Sequence, residues 1–195
     1  MAHSYGISGN GQHTQQLLSG LRQGNAAAQR QFLKLYAPAV FKLIVRMTHN
    51  ALDAEELTQD ALLSAITHIN DYQPAQAALQ TWLNRIAYRT ALNHMRGHSA
   101  EIVSFDQYPA LGAQADEEAI SNYFQKADST LTELLRQALD HLPTDEQTLV
   151  NLFYYDDLTL KEIAFIMEAP PGTLATRLHR IRKRLYNIIL RLQQQ

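Results

Sequence analysis

From Thr173 to the end the chain carries six Lys/Arg and no acid: Arg177, Arg180, Arg182, Lys183, Arg184 and Arg191. A solvated helix ordinarily mixes signs, so that side chains three and four apart can pair. A single sign suits a polyanion. At 100° per residue, Leu174, Leu178, Ile181, Leu185, Ile188 and Leu192 make one apolar seam, with Thr176, Arg180 and Lys183 opposite it. Arg177 and Arg184 flank that outer surface on one side and His179 on the other. The chemistry on offer is duplex DNA binding: the helix start enters the major groove, and later Arg and Lys neutralise phosphates.

Such a helix needs a start and a brace. Pro170 and Pro171 are tolerated in a first turn, where no intrahelical N–H bond is lost, so a helix is expected from there. Before it, Thr159 with Glu162 forms the pattern of a capping box ahead of Ile163, Ala164, Ile166 and Met167. A short helix, a tight turn and a longer basic helix is the helix-turn-helix layout. Two more boxes are expected upstream, Thr130 with Glu133 and Thr144 with Gln147, around a break at Pro143.

The first hundred residues show the same 3.6-residue period and no sustained alternation. Asn25 is expected to cap a helix holding Phe32, Leu35 and Tyr36, with Pro38 at a break or first turn before Val40–Met47. Asp53, with Glu56 at the reciprocal position, is expected to cap the next helix, whose buried stripe is Leu57, Ala61, Leu62, Ala65, Ile66 and Ile69. A further helix runs from about Leu79 to Arg96, with Gly97 as its stop. Residues 98–129 lose the periodicity and carry the run Asp116-Glu117-Glu118, so they read as a linker, with a short helix around Glu117–Lys126. The expected architecture is all-α: a flexible N-terminal tail (1–13), a helical domain (14–97), an acidic linker (98–129) and a helix-turn-helix domain (130–195).

Charge follows this division. Residues 1–100 carry eight Lys/Arg against five Asp/Glu, residues 101–157 two against twelve, and residues 158–195 seven against two. The net charge of −2 therefore hides two basic ends around an acidic middle. There is no cysteine, which excludes disulfides, thiolate metal sites and cysteine nucleophiles. No His-Glu-x-x-His, glycine-rich phosphate loop or nucleophile elbow occurs, so no catalytic residue, metal or cofactor is expected. His94 and His98 stand four apart without an evident third ligand and read as surface or DNA-facing residues. No apolar run reaches membrane-spanning length, and no signal peptide is read at the start; the expectation is a cytoplasmic protein without direct membrane insertion.

Two separated sets of motifs resemble the bacterial extracytoplasmic-function sigma factors, the two-domain group 4 class of the sigma-70 family. The first set is Asp53-Ala-Glu-Glu-Leu-Thr-Gln-Asp60, Leu79-Gln-Thr-Trp-Leu-Asn-Arg-Ile-Ala87 and Ala91-Leu-Asn-His-Met-Arg96. The second is Leu142-Pro143, Leu158-Thr-Leu-Lys-Glu-Ile-Ala164 and Pro171-Gly-Thr-Leu-Ala-Thr-Arg-Leu-His-Arg180. The resemblance covers about Leu17–Gly97 and Thr130–Leu192. It implies a sigma region 2 domain (core polymerase binding, −10 recognition and melting) and a sigma region 4 domain (−35 recognition). The function implied is promoter-specific initiation of transcription.

The same resemblance implies roles. Asp53, Glu56, Gln59 and Asp60 offer acceptors to the clamp coiled coil of core RNA polymerase; for Asp53 and Glu56, helix capping is a second reading that can hold at once. The polymerase flap is a further contact, promoter DNA a partner, and an anti-sigma factor the expected regulator. In the −10 part, Arg85, Arg89 and Arg96 supply a basic track for the melted strand, and Asn84 and Asn93 hydrogen bonds. Trp82 is read either as a base-stacking platform or as core. In the −35 part, Arg180, then Thr176 and His179, face base edges, while Thr173, Arg177, Lys183 and Arg184 face phosphates. The chain departs from the family at Ala175, often Lys or Arg, and at Glu168, where the turn commonly has glycine; an altered turn is expected there. Two other readings are weighed: a helix-turn-helix regulator that does not bind polymerase, and an interaction protein that has lost DNA binding. The first is separated from a sigma factor by polymerase binding, and the basic face opposes the second.

Overall fold

The computed structural model describes residues 11–98 and 129–194, and every regular element among them is helical. They are α1 (Gly11–Arg22), α2 (Ala26–Thr48), α3 (Ala51–Thr67), a 3₁₀ turn (Ile69–Asp71), α4 (Leu79–His98), α5 (Ser129–Asp140), α6 (Thr144–Val150), a π turn (Asn151–Tyr155), α7 (Leu160–Met167) and α8 (Pro171–Leu192). The acidic run and the short helix expected near it lie outside the described residues. Residues 11–98 and 161–168 form one compact unit, residues 129–160 and 169–194 a second.

In the first unit α2 is the hub, packed on α1, α3 and α4. The Asn25 cap is present: its Oδ1 accepts from the backbone N–H of Ala27 (2.8 Å) and Ala28 (3.2 Å). Pro38 does not break the chain. It lies inside α2, where Phe32, Tyr36, Val40, Leu43, Ile44 and Met47 keep one buried face across it. Proline costs α2 one backbone bond, and the buried face on both sides outweighs it. α1 was not expected; it places Leu17, Leu18 and Leu21 in the core and takes Gly11–His13 out of the expected tail. At Gly20, an added Cβ would stand 2.6 Å from Ala28 Cβ, so these two helices meet at small residues.

Two expected caps do not form, and Glu133, the reciprocal residue of a third, is otherwise engaged. α3 starts at Ala51 with Asn50 as its cap, whose side chain accepts from Leu52 N (3.0 Å), so Asp53 falls inside the first turn. An equally good capping residue three positions earlier wins because the helix can then begin sooner. Glu133, inside α5, turns instead to Arg136 and Gln137. The Arg136 hydrogen bond, with that from Gln137, lowers its carboxyl to about 2. Pro143 takes the position before α6, and Gln147 donates to Leu142 O (2.8 Å) rather than reciprocating a Thr144 cap.

In the second unit α8 packs on α5 and α6. Its buried seam is Leu174, Leu178, Ile181, Leu185 and Ile189. The seam takes a four-residue last step to Ile189, not the expected three-residue step to Ile188, which is half-buried; the 3.6-residue period falls between the two.

Candidate nucleic-acid interface

α7 ends at Met167, α8 begins with Pro171 at its first position, and three residues make the turn. Glu168 adopts φ 55°, the left-handed backbone that glycine takes most cheaply. Glutamate thus holds a left-handed conformation that favours glycine, at a steric cost.

On α8, Thr173, Thr176, Arg180 and Lys183 are exposed together, with His179 half-buried beside them. The Thr176 hydroxyl donates to Gly172 O (3.0 Å) and keeps its lone pairs for a further donor. No acid among the described residues pairs with Arg180 or Lys183. Arg177 and Arg184 are placed differently from expectation. Their side chains are only 17% and 25% exposed, and each meets a carboxylate of α6: Arg177 bonds Asp145, and Arg184 Nη1 lies 2.5 Å from Glu146 Oε2. Both sit at the border of the apolar seam, where α6 reaches them before solvent does. Glu146 is almost wholly buried, and burial pushes its carboxyl up, with Arg184 pulling the other way. Asp145 and Glu146 were missed because their partners lie 32 and 38 residues away.

In the first unit, α4 sorts the expected −10 residues by its register. Arg89, Asn93 and Arg96 are exposed, Arg85 is half-buried, and Asn84 is buried. Asn84 lies in line with Ala87 and Ala91, which face α2 and α3, and accepts from Gln80 Nε2 (2.8 Å). It therefore leaves the strand-facing set. Arg85 donates through Nε to Glu168 Oε1 (2.9 Å), Arg89 Nη1 lies 3.4 Å from the same oxygen, and the Arg85 guanidinium sits 4.9 Å over the Phe165 ring. Trp82 is half-buried and packs on Tyr72, with ring centroids 5.4 Å apart at 50°. The Tyr72 hydroxyl donates to Ala77 O (3.1 Å) and tethers the loop before α4; burial pushes its pKa up. Trp82 thus braces this tethered loop from below.

On α3, Glu56, Gln59 and Asp60 share an exposed face, while Asp53 turns toward α4, its Oδ2 3.6 Å from His94 Nε2. The same face carries Leu52 and Leu63, 77% and 65% exposed. Neither belongs to the apolar stripe of this helix, and that was the available signal. Isolated exposed leucines are ordinary, and these two flank the polar row on one helix face. No group of three or more His, Asp or Glu among the described residues could hold a metal ion, and no described helix is long and apolar enough to cross a membrane.

Two families match the chain, and the second match runs through residues 161–168, which pack with the first unit. Residues 32–101 match the family Sigma-70 region 2, and residues 132–185 match Sigma-70, region 4. The chain is 28% identical over 174 residues to the RNA polymerase sigma-H factor of Pseudomonas aeruginosa, covering 87% of this chain and 90% of that protein. It is 28% identical over 176 residues to the ECF RNA polymerase sigma factor SigW of Bacillus subtilis, covering 85% and 90%. Among solved structures, the sigma factor RpoE of Bartonella quintana, in complex with the anti-sigma factor NepR, shares the fold at TM-score 0.57 and 22% identity, over 82% of this chain and 95% of that one. CnrH, in complex with the cytosolic domain of CnrY, does so at TM-score 0.58 and 16% identity, over 89% and 94%. Regions 2 and 4 of one family, matched in order on the helices that carry the acidic face and the basic face, place the chain in the sigma-70 family, as an extracytoplasmic-function RNA polymerase sigma factor.

Proposed function

We propose that this sigma factor, which directs promoter-specific initiation by core RNA polymerase and leaves catalysis to that enzyme, divides the work among three helix faces. The α3 face, Glu56, Gln59 and Asp60 between Leu52 and Leu63, docks on the polymerase clamp. The outer side of α4, with Arg89, Asn93 and Arg96, tracks the melted −10 strand, and Arg85 joins it on release from Glu168. The outer side of α8 reads the −35 duplex: Arg180 is the principal base reader, Thr176 and His179 assist, and Thr173 and Lys183 hold phosphates. The observation that carries the reading is the acid-free exposed face of α8 within a matched region 4. The flap is a further polymerase contact. An anti-sigma factor, as bound to the Bartonella relative, would act by covering these faces. The setting is the cytoplasm, where the polymerase and promoter are.

Reconstituting the chain with core RNA polymerase and mapping transcription starts genome-wide tests the whole. Starts sharing −35 and −10 elements are expected; folded protein without promoter-specific starts would overturn it. Within that assay, Arg180→Ala should cost a promoter bearing the −35 element roughly 1–3 kcal/mol, about fivefold to 150-fold, and spare one lacking it. Equal loss on both would make Arg180 a phosphate contact. Lys183→Ala should weaken binding across sequences and lower the salt slope by about one.

A further inference from the structure

Arg177 and Arg184 stand seven residues apart on α8, which is about 20° short of two full turns and about 10 Å along the axis. They therefore share one flank. That flank lies roughly 80° from the middle of the buried seam and about as far from the middle of the exposed row Thr173, Thr176, Arg180 and Lys183. Two successive residues of α6 grip the pair: Asp145 bonds Arg177, and the almost fully buried Glu146 stands 2.5 Å from Arg184. We infer that Asp145 and Glu146 are positioning residues for promoter recognition, fixing the roll of α8 so that the exposed row meets the −35 base edges. The inference rests on the −35 reading of α8 given above.

An apolar seam alone sets roll loosely, because leucine and isoleucine knobs tolerate small rotations. A base-reading guanidinium tolerates less: productive geometry is held within about 0.5 Å and 10–20°. A 20° roll would carry an arginine tip, which stands well out from the helix axis, about 3 Å sideways. Two directional, charge-assisted bonds at one flank, two turns apart, oppose that roll at both ends of the reading surface. Net stability is a poor explanation of the pair. Burying a carboxylate against a cation costs desolvation that the attraction repays only with good geometry, and such pairs add little to folding. Burial pushing the Glu146 carboxyl up, against the pull of Arg184, agrees with that cost.

The test uses the full chain with core polymerase on two promoters, one with the functional −35 sequence and one with a single −35 base pair changed. The discrimination ratio between them is the readout, with thermal melting and salt dependence alongside. Glu146→Gln and Asp145→Asn should each lower the ratio by about threefold to tenfold while melting close to wild type. Adding Arg184→Gln to Glu146→Gln should cause little further loss, and Arg184→Gln alone should leave the salt slope unchanged. Asp145→Asn, at a partly exposed pair, keeps the test open should Glu146→Gln not fold. A wild-type ratio in both variants overturns the proposal. So does equal loss on both promoters, which marks a merely structural role, or a salt slope lowered by about one in Arg184→Gln, which marks a phosphate contact. If wild type itself does not discriminate, the −35 reading beneath the proposal has failed, a distinct outcome that removes both.

Discussion

Glu168 joins two constraints that its side chain does not share with its backbone. Its φ of 55° lies where a Cβ crowds the following carbonyl. Its carboxylate meets Arg85 and Arg89, an attraction between partly exposed groups worth little on its own. Comparing Glu168→Gly with Glu168→Ala separates the two, since both remove the carboxylate and only glycine relieves the backbone. The glycine variant should be more stable by about 1 kcal/mol, melting roughly 2–4 °C above the alanine variant. Equal melting would mean that the turn abandons its left-handed residue when the side chain shortens. The expected result would mean that glutamate holds this left-handed position at a stability cost that glycine would not carry.

At the scale of the helix, the polymerase-docking face proposed for α3 was legible only in part. Its acids were legible as a row because none could belong to the apolar stripe. Leu63 was passed over although it falls outside that stripe, since a leucine beside a buried leucine looks like core until the register is worked out. Leu62 is 3% exposed and Leu63 65%. Leu63→Ala should therefore leave melting nearly unchanged and weaken binding to core polymerase about tenfold, given the roughly 1.5–3 kcal/mol that burying a leucine contributes. Leu62→Ala should cost about 2–5 kcal/mol of stability. Unchanged affinity of the Leu63 variant in a fluorescence titration against core enzyme would remove it from the interface. Elsewhere periodicity and local chemistry were enough: the Asn25 cap, the start of α8 at Pro171 and most of its seam follow from neighbours in sequence. What failed did so where packing across the fold or a competing neighbour decided the outcome. Pro38 stays helical because tertiary packing spans it, Asp53 loses its cap to Asn50, and Arg177 and Arg184 meet acids more than thirty residues away. The −10 residues divide likewise: exposure of Arg89 and Arg96 follows from their being cations, whereas burial of Asn84 depends on which side of α4 its neighbours cover.

For the whole chain, the physical problem is to bind promoters without being held by all other DNA. Non-specific binding is set by phosphate neutralisation and falls steeply with salt. The basic ends of this chain favour it, and the acidic stretch between them, two Lys/Arg against twelve Asp/Glu over residues 101–157, opposes it. Acids tethered by the chain near a cationic face act as a local competitor for phosphate, over a range of about 10 Å at 0.1 M salt. The run Asp116-Glu117-Glu118 is the densest part of that stretch. Replacing it with Asn-Gln-Gln should raise the affinity of the free protein for random duplex several-fold at about 50 mM salt. The two proteins should converge by about 0.3 M, where screening reaches only a few ångström. Fluorescence anisotropy with a labelled duplex across that salt series reads both. Equal affinity at low salt would show that the acids do not reach the basic faces, and selectivity would then rest on the polymerase. With the expected result, promoter discrimination by the assembled enzyme changes little, because polymerase engagement supplies specific contacts that a charge competitor does not supply. The burden falls on the free protein, which would then linger on non-promoter DNA and reach polymerase more slowly.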